Sequence, residues 1–146
     1  MGLFQSFNIS ASGMTAERFR TDIIAENIAN VNSTSTEDGG PYRRKIVTFK
    51  EKSVTPFSNY LTTSKNMAIG NGVKVTKVTE DYSTEFNMEY DPSNPDADEN
   101  GYVSYPNVNT VTEMTNLIDS TRAYEANATA FDASKSLAEA GLQIGK

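Results

Sequence analysis

Asp96-Ala97-Asp98-Glu99-Asn100-Gly101 is the stretch of this sequence that comes nearest to a site for chemistry. Its oxygens fall on the spacing of the first half of a calcium-binding EF-hand loop, with glycine at the sharp turn. The position that should supply a bidentate glutamate is Asn107, and Pro92 and Pro95 forbid the entering helix. The stretch therefore reads as an acidic surface turn, and no metal ligand is assigned. Glu80 with Asp81, and Glu85 with Glu89, would need an apolar enclosure to separate their pKa values for acid–base work. Polar neighbours flank them, and they read as a solvated face. Gly70-Asn71-Gly72 lacks the lysine and the further glycines of a phosphate loop. The chain has no histidine and no cysteine. That removes the commonest general base, the commonest transition-metal ligand and all thiolate chemistry. No catalytic residue and no cofactor follows from these residues, and an enzyme ranks behind a structural protein or a binding module.

The formal net charge is −6, from 13 basic and 19 acidic residues, which disfavours nucleic acid as a partner. Arg43-Arg44-Lys45 is a short basic run, read as a solvated loop edge or an intersubunit ion-pair site. A hydrophobic share of 37% points to a modest core. No apolar run approaches the roughly 18 residues that suggest a membrane span. The start, MGLFQSFNISASG, lacks the basic and apolar regions of a secretory signal.

Two long amphipathic segments would have to position everything else. From Met114, a stripe of Leu117, Thr121, Tyr124, Ala128, Phe131, Lys135, Ala138 and Leu142 alternates by threes and fours. That period predicts a long helix whose seam meets another helix. Thr110 and Glu113 fit a capping box at its start. A second stripe, Ala123, Ala126, Ala130, Ala133, Leu137, Ala140 and Ile144, lies about 200° around the same helix. Residues 3–31 form the other helix, with Phe4, Phe7, Ala11 and Met14 on one line, Ile9, Ala16, Phe19 and Ile23 on another, and Ile24, Ile28 and Val31 on a third. Gly13 marks a weak point or a close contact within it. Helices apolar on more than one side need several neighbours, and a chain of 146 residues has little material to supply them all.

Between the helices the period changes. Residues 32–42 read as a loop. Lys45–Glu51 and Gly72–Thr79 read as strands, Val54–Leu61 as an edge strand broken by Pro56, and Phe86, Met88 and Tyr90 alternate as a further strand. Asp91–Gly101 is a loop, and Tyr102–Tyr105 a short extended segment. The fold class is α+β, mainly α. Long antiparallel terminal helices pair in a coiled-coil-like manner in a domain of residues 1–35 and 107–146, around a β-rich, loop-rich insertion at 36–106.

Several stretches together resemble one family. They are Ile9-Ser10-Ala11-Ser12-Gly13-Met14-Thr15-Ala16-Glu17-Arg18 and Ile28-Ala29-Asn30-Val31-Asn32-Ser33-Thr34 near the start, and Arg122-Ala123-Tyr124-Glu125-Ala126-Asn127 near the end. In the middle stand Pro41-Tyr42-Arg43-Arg44-Lys45, Tyr90-Asp91-Pro92, Asn94-Pro95-Asp96-Ala97, Gly101-Tyr102-Val103 and Tyr105-Pro106-Asn107-Val108-Asn109. The chain is similar to the axial proteins of the bacterial flagellum, and within them to the proteins of the proximal rod. The resemblance implies a subunit that is exported unfolded by the type III export apparatus without a cleaved signal. It would then polymerise helically in the periplasmic part of the basal body, as a drive shaft around the export channel. Its partners would be other copies of itself and the neighbouring rod and ring proteins. The assembly residues would be Phe4, Phe7, Met14, Phe19, Ile23, Ile28, Met114, Leu117, Tyr124, Ala126, Ala130, Phe131, Ala133 and Leu137. Met114, Leu117, Tyr124 and Phe131 are expected to form the intramolecular seam against Phe7, Met14, Phe19 and Ile23, and the alanine stripe to meet neighbours. Both terminal helices would then order fully only on assembly. The competing class is a soluble helical adaptor that binds one partner and does not polymerise.

Overall fold

The structure, a computed structural model, describes residues 3–37, 39–52 and 70–144. Helix α1 spans Leu3–Ala29 and helix α2 spans Thr110–Ile144. Between them come β1 (Lys45–Glu51), β2 (Val73–Glu80), β3 (Asn87–Tyr90) and β4 (Tyr102–Tyr105). β1 pairs with β2, and β3 with β4. This is the mainly helical α+β arrangement expected from the change of period. The edge strand expected at 54–61 lies outside the described residues.

The chain gathers into two compact units. One comprises Met1–Phe19, Thr48–Lys77 and Ser120–Lys146, the other Arg20–Val47 and Val78–Asp119. Each helix gives a segment to each unit.

In the first unit the helix segments are antiparallel. Phe7 packs on Phe131 with ring centroids 4.9 Å apart, and Ser120 Oγ donates to the Glu17 carbonyl at 2.9 Å. Ser10, Gly13, Ala16 and Ser120 are buried between these contacts, and their small size lets the backbones approach. Gly13 is a close contact: a Cβ there would come within 2.5 Å of Asn127 Oδ1. The start of β2 is pinned to α1 by Ser12, whose Oγ donates to the Ile9 carbonyl at 2.7 Å and accepts from Val73 N at 3.1 Å. Gly72, just before, has φ +92° and stands where a Cβ would overlap Ser12 Oγ. Both backbone and space demand glycine there.

In the second unit β3 and β4 form an antiparallel hairpin with Met88 opposite Ser104 and Tyr90 opposite Tyr102. Val103 on its inner face is buried, as are Val108, Ile24 and Tyr42. The N-cap of α2 is Asn109, one residue before the expected capping box. Its Oδ1 accepts from Val111 N at 3.0 Å and Thr112 N at 3.1 Å. Asparagine is the stronger cap, and the Glu113 carboxylate that the box would use is directed elsewhere.

Gly13→Ala and Asn127→Ala should couple. Gly13→Ala alone collides with Asn127, while in an Asn127→Ala background the helix-propensity gain of about 1 kcal/mol shows through. Denaturant melts of the cycle should give a coupling of about 1 kcal/mol or more, and additivity would refute the contact. Gly72→Ala should destabilise by about 2 kcal/mol in the same assay; a neutral change would contradict the Ser12 clasp.

Candidate functional site

Asn27 is fully buried and makes every hydrogen bond its amide allows. Its Nδ2 donates to the Lys45 carbonyl at 2.9 Å and to Glu113 Oε2 at 3.1 Å. Its Oδ1 accepts from Tyr42 OH and from Lys45 N, both at 2.9 Å. Glu113, only 1% exposed, accepts at Oε1 from Arg44 Nε at 3.0 Å and Nη2 at 2.7 Å, and from Asn116 Nδ2 at 3.1 Å. α1, the start of β1 and the first turns of α2 thus meet at one side chain. Asn107 continues the network: its Oδ1 accepts from Arg44 N at 2.9 Å, and its Nδ2 donates to the Asp81 and Thr84 carbonyls at 2.9 and 3.1 Å.

The charges around this node are paired or capped. Lys45 Nζ lies 2.5 Å from Glu26 Oε1. The Arg43 guanidinium lies over the Tyr82 and Phe86 rings, 4.4 and 4.2 Å from their centroids. Asp81 is buried and accepts from the hydroxyls and amides of Ser83 and Thr84. Chiefly the Ser83 hydroxyl, then its amide, holds the Asp81 carboxyl down at about 2, with Thr84 adding to the effect. Burial, then the carboxylates of Glu26 and Glu113, pushes the Tyr42 phenol well above its usual range, so it stays a donor.

Two expectations are corrected here. Arg43-Arg44-Lys45 is not a solvated loop edge: within this chain Arg44 pairs with Glu113, and Lys45 with Glu26. Asp81 is not part of a solvated face, because it caps the turn that follows β2. Asp96 and Asp98 also make hydrogen bonds within this chain. Asp98 Oδ1 accepts from Asn100 N and Tyr102 N, and Asp96 Oδ2 from the Thr34 hydroxyl.

The residues expected to assemble fall into two groups. Phe7 and Phe131 touch, and Met14, Ile23, Ile28 and Leu117 are half-buried. Nothing is described of the Phe4 side chain. Met114 is 52% exposed and Tyr124 is also exposed, so they do not carry the intramolecular seam. α2 instead turns Glu113, Ser120 and Asn127 inward beside Leu117 and Phe131. The Glu113–Arg44 pair and the close approach at Ser120 set that rotation. Phe19 is exposed, as are Ala126, Ala130, Ala133 and Leu137, the last at 72%. Nothing in the sequence assigns a structural role to Asn27, Tyr42 or Asn107: Tyr42 and Asn107 stand there within the stretches that carry the family resemblance, and Asn27 among Ile23, Ile24 and Ile28. No helix among the described residues is long and apolar enough to cross a membrane.

Residues 7–35 match the family model described as "Flagella basal body rod protein". Residues 99–144 match "Flagellar basal body rod FlgEFG protein C-terminal". The chain is similar to the flagellar basal-body rod protein FlgC of Bacillus subtilis (strain 168), 45% identical over all of both chains. It is 43% identical to FlgC of Borreliella burgdorferi, over 99% of this chain and 98% of the relative. To FlgC of Salmonella typhimurium (strain LT2) it is 37% identical over the full length of both.

Glu113→Ala should cost about 3 kcal/mol by stranding Arg44 and Asn27, measured by denaturant unfolding; a loss under about 1 kcal/mol would show the node to be peripheral. Because the Asp81 pKa is lowered on folding, its stabilisation is complete above the unfolded value near 4 and is lost as pH falls towards 2. The stability gap between wild type and Asp81→Asn should be constant at neutral pH and close between pH 4 and 2. A gap unchanged over that window would contradict the assignment.

Proposed function

We propose that this chain, which belongs to the FlgC family of flagellar basal-body rod proteins, works as a structural subunit of the proximal rod. It joins copies of itself and neighbouring rod and ring proteins by heterologous, head-to-tail contacts that continue as an open helix. The supporting observation is the outer face of α2. Ala126, Ala130, Ala133, Leu137, Ala140 and Ile144 form a small-residue and apolar stripe on a helix of 35 residues, and all are exposed. Such a helix is on the order of 50 Å long, and its exposed stripe fits against a neighbouring helix backbone.

On this reading the domain of residues 1–35 and 107–146 forms the rod's inner helical layer and the insertion packs outside it. The chain acts mechanically, without catalysis. It reaches the periplasm unfolded through the type III export apparatus, with no cleaved signal peptide. A modest core suits that route, since unfolding for export opposes less buried apolar area.

Ala130→Glu with Ala133→Glu should leave monomer stability within about 0.5 kcal/mol of wild type, both sites being exposed. It should abolish swimming when this chain replaces the resident FlgC of a flagellated bacterium. Wild-type swimming with the double variant would remove the stripe from the assembly interface. Failure of the unaltered chain to support swimming would count against the rod function itself.

A further inference from the structure

Charge is unevenly placed along the chain. Between Lys77 and Arg122 there is no lysine or arginine, and this stretch holds the β3–β4 hairpin. Met88, Tyr90 and Tyr102 share the hairpin's outer face: Ser104 Oγ donates to Met88 Sδ at 3.1 Å, and the Tyr90 and Tyr102 rings meet edge to face at 5.3 Å. All three are exposed, and Glu85 and Glu99, in the segments that flank β3 and β4, are exposed as well, while Glu89 stands opposite Val103 on the other face. Exposed aromatic and methionine side chains beside carboxylates suit an interface rather than open solvent.

The complementary feature lies in the first unit. Ala16, Phe19, Val73 and Val75 line a groove between α1 and β2, with Lys52 and Lys74 also lining it. Lys50 and Lys77 are exposed on the same pair of strands. Apolar lining flanked by lysines is the counterpart of an apolar patch flanked by glutamates.

We propose that the β3–β4 hairpin of one copy docks on the lysine-flanked α1–β2 groove of a second copy. This rests on the rod reading and names one of its contacts. The two surfaces differ, so the contact is heterologous and leaves a free hairpin at one end and a free groove at the other. Charge favours the hairpin over the exposed end of α2 as occupant, because there Lys135 lies 4.0 Å from Glu139 and offsets it.

The test uses purified full chains in sedimentation. Lys52→Glu/Lys74→Glu makes the groove acidic, and Glu85→Lys/Glu99→Lys makes the hairpin's flanks basic. Each variant alone should lose self-association roughly tenfold or more, with unchanged thermal melts because all four sites are exposed. An equimolar mixture should regain it, since each variant then offers what the other lacks. Salt should weaken the wild-type association. Wild-type-like association of either variant, or a mixture no better than its components, overturns the docking; copies would then meet by another face, the α2 stripe first. If the mixture fails while the unaltered chain still supports swimming, the docking falls and the rod function stands.

Discussion

The bond from Arg44 to the buried carboxylate of Glu113, with Asn27 on the other oxygen, is the constraint on which the second unit depends. It ties together α1, the entry to β1 and the first turns of α2. A buried ion pair adds little net stability, because desolvation offsets most of the attraction. Its consequence is geometric. A sliding or rotation of either helix by one residue would leave a carboxylate, a guanidinium and an amide without partners in a dry site, at a cost of several kcal/mol. The node therefore selects one register for the helix pair, and apolar packing alone would be more permissive.

Burial differs between the two units. In the second, Ile24, Val103, Val108 and Tyr42 are buried. In the first, the buried positions Ser10, Gly13, Ala16 and Ser120 are small. Small residues permit close backbone approach but remove little apolar surface from water. Of the longer side chains there, Phe7, Met14 and Phe131 are half-buried, and Leu137, Leu142 and Ile144 are exposed on α2. A helix in that condition gains most of its stability from partners.

The sequence made the two helices and β1, β2 and β3 legible through their periods, because patterns of about 3.6 and 2 residues are local properties, while β4 showed only as a short extended segment. The rotation of α2 was not legible. An apolar stripe shows that a helix has a seam, but not that an ion pair with Arg44, 69 residues away, turns Glu113 inward and leaves Met114 exposed. The same holds for β3, where the alternation of Phe86, Met88 and Tyr90 marks a strand but does not tell that Met88 and Tyr90 lie on its exposed face. Gly13 was half legible: a glycine in a helix signals either weakness or contact, and only Asn127 opposite it decides for contact. Tyr42 and Asn107 lie in segments without period, so their burial follows from tertiary pairing alone.

Hydrogen exchange on the monomeric full chain tests most directly whether the node-centred unit is the preformed part of the molecule. Folding completed by neighbours predicts slow exchange in the α1 and α2 segments within 20–29 and 110–119, and fast exchange in those within 3–19 and 120–144, despite the continuity of both helices. Equal, strong protection along both helices would mean that the monomer already supplies every partner they need, and would contradict folding on assembly.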